Sequence, residues 1–129
     1  MLQKGRIDEA IADFLKAIQI KPDYLEALNN LAFILATGSQ ALLRNGPQAV
    51  ELAQHANQLA GGENPFILHT LAAAYAEAGR FGEAVASVQK AADLAHAAGR
   101  PDFAARLNGE LKLYEAGLPL HEQGKPAGN

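Results

Sequence analysis

Apolar positions in this chain recur at three- and four-residue spacing, with no stretch of strict alternation, so the pattern predicts helices throughout and no strand. Ile7, Ala10, Ile11, Phe14, Leu15, Ala17 and Ile18 form one such stripe over residues 6–20. Pro22 ends it, with Lys21 in the last turn. Asp23 is the expected N-cap of a second helix over 24–36, whose broad apolar face carries Leu28, Leu31, Ala32, Ile34 and Leu35.

Residues 40–46 combine a possible helical turn at Ala41–Leu43 with a strong turn signal at Asn45-Gly46-Pro47. Pro47 suits the first position of a helix running to Ala60, with Ala49, Val50, Leu52, Ala53, Ala56 and Leu59 on its buried side. Gly61-Gly62 closes it, and Asn64-Pro65 opens the next, over 65–78, as N-cap and first helical residue. Gly79 separates that helix from one over 81–98, and Gly99 stops this in turn. A sixth helix, 101–116, places Phe103, Leu107, Leu111 and Tyr114 on one side. Gly109 inside it costs about 1 kcal/mol relative to alanine, so docking must hold this helix. Residues 117–129 lack periodicity and are expected to be disordered.

Length and composition narrow what such a chain can be. At 129 residues it is one domain, and alanine rather than aromatic side chains supplies much of its apolar content, which favours close helix contact over a thick core. A net charge of −3 leaves no basic footprint for nucleic acid or an anionic membrane. The absence of cysteine excludes disulfides and thiolate metal sites. No apolar run reaches the length of a membrane span, so the expectation is a soluble chain, cytoplasmic in preference to periplasmic.

The helices repeat. Alanines seven residues apart occur three times, as Ala10 and Ala17, Ala49 and Ala56, and Ala84 and Ala91. Gly5-Arg6-Ile7-Asp8-Glu9-Ala10-Ile11 parallels Gly79-Arg80-Phe81-Gly82-Glu83-Ala84-Val85, and Leu28-x2-Leu31-Ala32-x2-Leu35 parallels Leu68-x2-Leu71-Ala72-x2-Tyr75. The copies start 39 and 35 residues apart, which fits a period of about 34 with insertions before Pro47 and, by one residue, after it. An insertion in a surface loop costs a fraction of a kcal/mol. The alanine pairs mark close helix contacts, and a leucine at Ala84 or Ala91 would overpack them by about 1–3 kcal/mol.

This pattern resembles the tetratricopeptide repeat (TPR), a helix–turn–helix unit. Phe14 and Pro22 stand at family positions, while Leu28 and Leu68 replace its Trp, Ala53 and Val88 a large aromatic, and the closing proline is missing after Ala56 and Ala91. Residues 25–122 also resemble the C-terminal end of bacterial proteins of this type, with a long loop before the AVxLA helix and a closing LYxAG-like segment. The resemblance implies an all-α, antiparallel, superhelical array of about six helices: a half repeat at 6–20, a repeat with an inserted loop at 24–60, a repeat at 65–98 and a capping helix at 101–116, together a domain over 1–116. The half repeat lacks its first partner, so it implies upstream repeats or a second chain over that face.

It also implies a concave groove for an extended peptide or a partner's helix, a non-catalytic interaction module with no cofactor. Carried over, its lining is Glu26, Asn29, Asn30, Phe33 and Thr37, then Phe66, His69, Thr70, Ala73 and Glu77, then Asp102 and Arg106. Asn29 and Asn30 would bond a ligand backbone, and Phe33 and Phe66 would supply apolar contact; solvated asparagines and phenylalanines packed under a neighbour are the plain alternatives. Asn30→Ala or His69→Ala is expected to weaken a partner without changing the melting temperature. A carboxylate clamp is not expected, because Phe66 and Thr70 stand where it needs cations beside Asn30 and Arg106.

Enzyme chemistry has little to start from. His55, His69, His96 and His121 fall on different elements without metal-ligand spacing, with His55 and His96 at the rim, His121 in the tail and His69 alone facing the groove. Asp8 and Glu9 point apart on a helix, and Gly79-x2-Gly82 has neither the strand nor the lysine of a phosphate loop. Two other roles stay open: a self-association element acting through the terminal helices, and an accessory end-domain of a larger enzyme.

Overall fold

The computed structural model describes residues 4–121, and among them there are six α-helices and no strand. They are α1 (Lys4–Ile20), α2 (Leu25–Thr37), α3 (Gly46–Leu59), α4 (Pro65–Glu77), α5 (Phe81–Ala97) and α6 (Pro101–Glu115), with a 3-10 turn at Ala41–Leu43 between α2 and α3. Each helix packs on the next, and α2 also packs on α4, giving the stacked, TPR-like superhelical array that the pattern implies.

Local chemistry sets most boundaries. Asn45 and Asn64 are N-caps: Asn45 Oδ1 accepts from the Gln48 amide (3.1 Å), and Asn64 Oδ1 from those of Phe66 and Ile67 (2.9 and 3.3 Å). Beyond α4, Gly79 takes φ +80°, the left-handed conformation in which an L side chain is strained. This lets the Arg80 amide donate to Tyr75 O (2.8 Å) and the Gly79 amide to Ala76 O (3.0 Å), the Schellman arrangement. Gly99 closes α5 in the same way. One expected cap is absent. Asp23 does not bond the start of α2; its Oδ1 lies 3.0 Å from His55 Nε2, so it ties the α1–α2 turn to α3.

The central helix is α4, whose residues Ile67 through Ala76 are all buried. Alanine makes this possible. Ala72, Ala73 and Ala74 on α4, Ala49, Ala53 and Ala56 on α3, and Ala84 and Ala91 on α5 are fully buried, so helix surfaces meet without large side chains between them. Leu31, Leu107, Val88 and Tyr114 fill the wider spaces. Leu52 is half-buried and Leu59 exposed, so the buried stripe of α3 is narrower than its sequence suggests. In α1 no residue from 6 to 20 is fully buried, and Ile11, Phe14 and Ile18 lean on the core from its edge.

The C-terminal segment departs from expectation. Residues 117–121 are not a free tail: Leu120 packs against the core, and His121 Nε2 is 2.6 Å from Glu77 Oε1 at the end of α4. Of the two leucines flanking Pro119, Leu118 is exposed while the apolar side chain of Leu120 gains a covered position. Residues 122–129 of the expected disordered tail lie outside the described residues.

Candidate functional site

Helices α1, α2 and α4 enclose a cavity of about 380 Å³ lined by Ala10, Phe14, Asn29, Asn30, Phe33, Ile34, Phe66, His69 and Thr70. Two further crevices adjoin it. One of about 230 Å³ lies between α1 and α2, lined by Asp13, Phe14, Ala17, Tyr24, Glu26, Ala27 and Asn30. The other, of about 490 Å³, runs from the α1–α2 turn to the start of α4, lined by Lys21, Asp23, Tyr24, Leu25, Glu26, Asn29, Asn64, Phe66 and Ile67. Because Asn29, Asn30, Phe14, Phe66 and Glu26 are each shared between two of these spaces, they form one groove along α2.

Six of the residues singled out from the sequence meet in the central cavity: Asn29, Asn30, Phe33, Phe66, His69 and Thr70. Their availability differs. Asn30 is exposed, while Asn29 Oδ1 is buried and accepts no hydrogen bond. Phe66 remains 45% exposed, its ring stacked on Phe103 (centroids 4.7 Å apart, planes at 15°) with the Arg100 guanidinium 4.9 Å from its centroid. Thr70 is buried, and its hydroxyl donates to Phe66 O at 3.3 Å.

His69 is the wall where α4 meets α6. Its ring lies 5.5 Å from that of Phe33 and 6.0 Å, edge-on, from that of Phe103. Its Nε2 is 2.7 Å from Glu110 Oε1, with both side chains only 9% exposed, though the pair sits off the line of a hydrogen bond. Arg106 Nε reaches the other carboxylate oxygen, Oε2, at 3.5 Å from the solvent side. One turn beyond Glu110, the hydroxyl of Tyr114 is buried with no partner, and burial together with the Glu110 charge pushes its pKa well above the tyrosine range.

The remaining expected residues lie elsewhere. Thr37 is fully buried, its hydroxyl donating to Phe33 O at 2.8 Å, and Ala73 is buried inside the helix stack. Glu77 sits at the far end of α4, where its carboxylate holds His121 and, at 3.4 Å, Arg44 Nε. Arg44 also donates from Nη1 to Gly38 O at 2.6 Å, so Glu77 fastens the inserted loop and the C-terminal segment. Arg106 and Asp102 are exposed on α6, and Glu26 lies in the two side crevices.

Four contributors lie outside the expected lining: Ala10, Phe14 and Ile34 in the cavity wall, and Glu110 behind it. Phe14 and Ala10 on α1 complete the cavity wall, whereas the repeat pattern marks Phe14 only as a family position. Glu110 falls three residues after Leu107 and four before Tyr114, on the face of α6 that docks, and that spacing was the available signal.

Among the described residues no group of three or more His, Cys, Asp or Glu is placed to hold a metal ion, and no helix is long and apolar enough to cross a membrane. Stacked helix pairs flanking a lined groove define a helical-repeat scaffold, an architecture compatible with binding protein or peptide. A TPR repeat model matches residues 2–38, the stretch containing α1 and α2. No curated protein and no solved structure shows a significant match to the chain.

Proposed function

We propose that this protein is a non-catalytic interaction module of TPR type that holds a peptide or helix of a protein partner in the α1–α2–α4 groove. The observation that carries this is the central cavity itself, where apolar Phe14, Phe33, Phe66 and Ile34 converge with Asn29, Asn30 and His69. An apolar pocket with a few convergent polar groups is the usual form of a binding site. Asn30 and Phe66 are the residues through which contact is proposed, since both are exposed; Phe66 also stacks on Phe103 of α6, so Asn30 is the variant free of a packing role. The unit boundaries proposed are a half repeat at 6–20, repeats at 24–60 and 65–98 and a capping helix at 101–116, in the manner of the C-terminal end of a bacterial repeat protein of the cytoplasm.

The test is a comparison of Asn30→Ala and Phe66→Ala with the unaltered chain in quantitative partner capture, with thermal unfolding run in parallel. Loss of the same partners from both variants, with Asn30→Ala unfolding at the parent's melting temperature, supports the groove. Retention of every partner by both refutes it.

A second reading, self-association through the terminal helices, is favoured by α1, where Leu15 and Ile20 are 45% and 76% exposed. Light scattering across a concentration series separates the two, because a mass independent of concentration and equal to one chain eliminates self-association.

A further inference from the structure

We propose that this groove selects a partner segment in which a basic side chain stands beside an apolar one, the basic residue entering between α1 and α2 and the apolar residue filling the central cavity. The inference rests on the groove being the binding surface and adds the chemistry of what it takes.

The crevice between α1 and α2 brings together two carboxylates, Asp13 and Glu26, with the rings of Phe14 and Tyr24. Neither carboxylate is ion-paired among the described residues, and no basic side chain lines that crevice. Lys21 lines the adjoining crevice on the other side and stands 5.3 Å over the Tyr24 ring. A lysine or arginine entering between Asp13 and Glu26 would meet two negative charges and the Phe14 ring, both of which attract a cation. An acidic residue there would meet repulsion from both carboxylates.

The central cavity beside it contains no carboxylate, and phenylalanines form much of its wall. Phe14 and Asn30 line both spaces, so the two adjoin. Side chains two residues apart in an extended chain lie about 7 Å apart on one face, so such a pair is the spacing proposed for two adjoining spaces. Asn30, between the two, is placed to bond the backbone of the residue joining them, and the buried Asn29 Oδ1 offers an unused acceptor.

The experiment titrates isotope-labelled protein with three capped tripeptides, acetyl-Arg-Ser-Phe-amide, acetyl-Glu-Ser-Phe-amide and acetyl-Arg-Ser-Ser-amide, and follows amide shifts by NMR. Saturable shifts at Phe14, Glu26 and the side-chain amides of Asn29 and Asn30 are expected with the first peptide and not the others. Asp13→Asn and Glu26→Gln, both at exposed sites, should each weaken binding by about two- to fivefold, the range of a solvent-exposed ion pair. Equal shifts with the glutamate peptide overturn the charge selection and leave the groove standing. Shifts with none of the peptides overturn the inference, and the groove is then judged by the Asn30→Ala and Phe66→Ala capture experiment alone.

Discussion

Glu110 on α6 places a carboxylate oxygen 2.7 Å from Nε2 of His69 on α4, and both side chains are more than nine-tenths buried. The pair joins the capping helix to the helix that forms the groove wall. Phe103 on α6 and Phe66 on α4 stack beside it, so one turn of each helix is held by an aromatic contact and the next by a polar one. The groove is therefore coupled to the docking of α6.

Glu110→Ala removes a buried partner and should destabilise the fold by about 1–3 kcal/mol, measured by urea unfolding. His69→Ala should also lower stability, since the ring packs between Phe33 and Phe103. The expectation that His69→Ala spares the melting temperature is thus revised, and Asn30 is the cleaner probe of binding. In the double variant the two losses should sum to less than their separate values, because they share one interaction. Strict additivity would show that the pair contributes nothing.

Tyr114→Phe should leave stability at neutral pH within about 1 kcal/mol of the parent or raise it, because the hydroxyl is buried without a partner. The pH dependence follows from the raised pKa. Above about pH 10 the unfolded chain loses the Tyr114 proton while the folded chain keeps it, so stability falls as pH rises past that value. Below it both states are neutral and the residue contributes no slope. Unfolding curves of the parent at alkaline pH should show this loss, and those of Tyr114→Phe should show less of it.

Two glycines should respond in opposite directions to the same change. A Cβ on Gly109 meets nothing within 4 Å, so Gly109→Ala should stabilise α6 by about 0.5–1 kcal/mol through helix propensity. A Cβ on Gly46 would lie 2.7 Å from the backbone nitrogen of Ala78 and 2.9 Å from the Glu77 carbonyl carbon. Neither backbone atom can swing aside, so Gly46→Ala should cost about 1–3 kcal/mol. Thermal denaturation of the two variants decides both.

Ala84→Leu or Ala91→Leu should each destabilise by about 1–3 kcal/mol, since both alanines are fully buried where α5 meets its neighbours. Ala86→Leu on the exposed side of the same helix is the control and should change the melting temperature little. Equal melting temperatures for all three would show that the alanine stripe is not a close contact.

Helix order, number and ends were legible in the sequence, because they depend on neighbours along the chain. A 3.6-residue stripe requires a helix, Asn64-Pro65 can start one, and Gly79 or Gly99 can end one in a conformation that other residues resist. Alanines seven apart likewise announced close packing, whatever the partner. The array follows from those local rules together with the repeat, and six of the cavity residues are ones that the resemblance to the repeat family implies for a groove.

What only the tertiary structure decided are pairings between residues far apart in sequence. Asp23 has the right position for a cap, yet His55, 32 residues away, takes its carboxylate. Leu120 and His121 lie beyond the last helix, and nothing in their own segment indicates that the core and Glu77 will hold them. Glu110 shares a face with Leu107 and Tyr114, but that it meets His69 follows only from how α6 docks. Periodicity tells which face of a helix is covered, but a polar side chain's partner depends on where other helices bring theirs. The scaffold is therefore written in local spacing, while the walls and charge of the groove are set by how α1, α2, α4 and α6 come together.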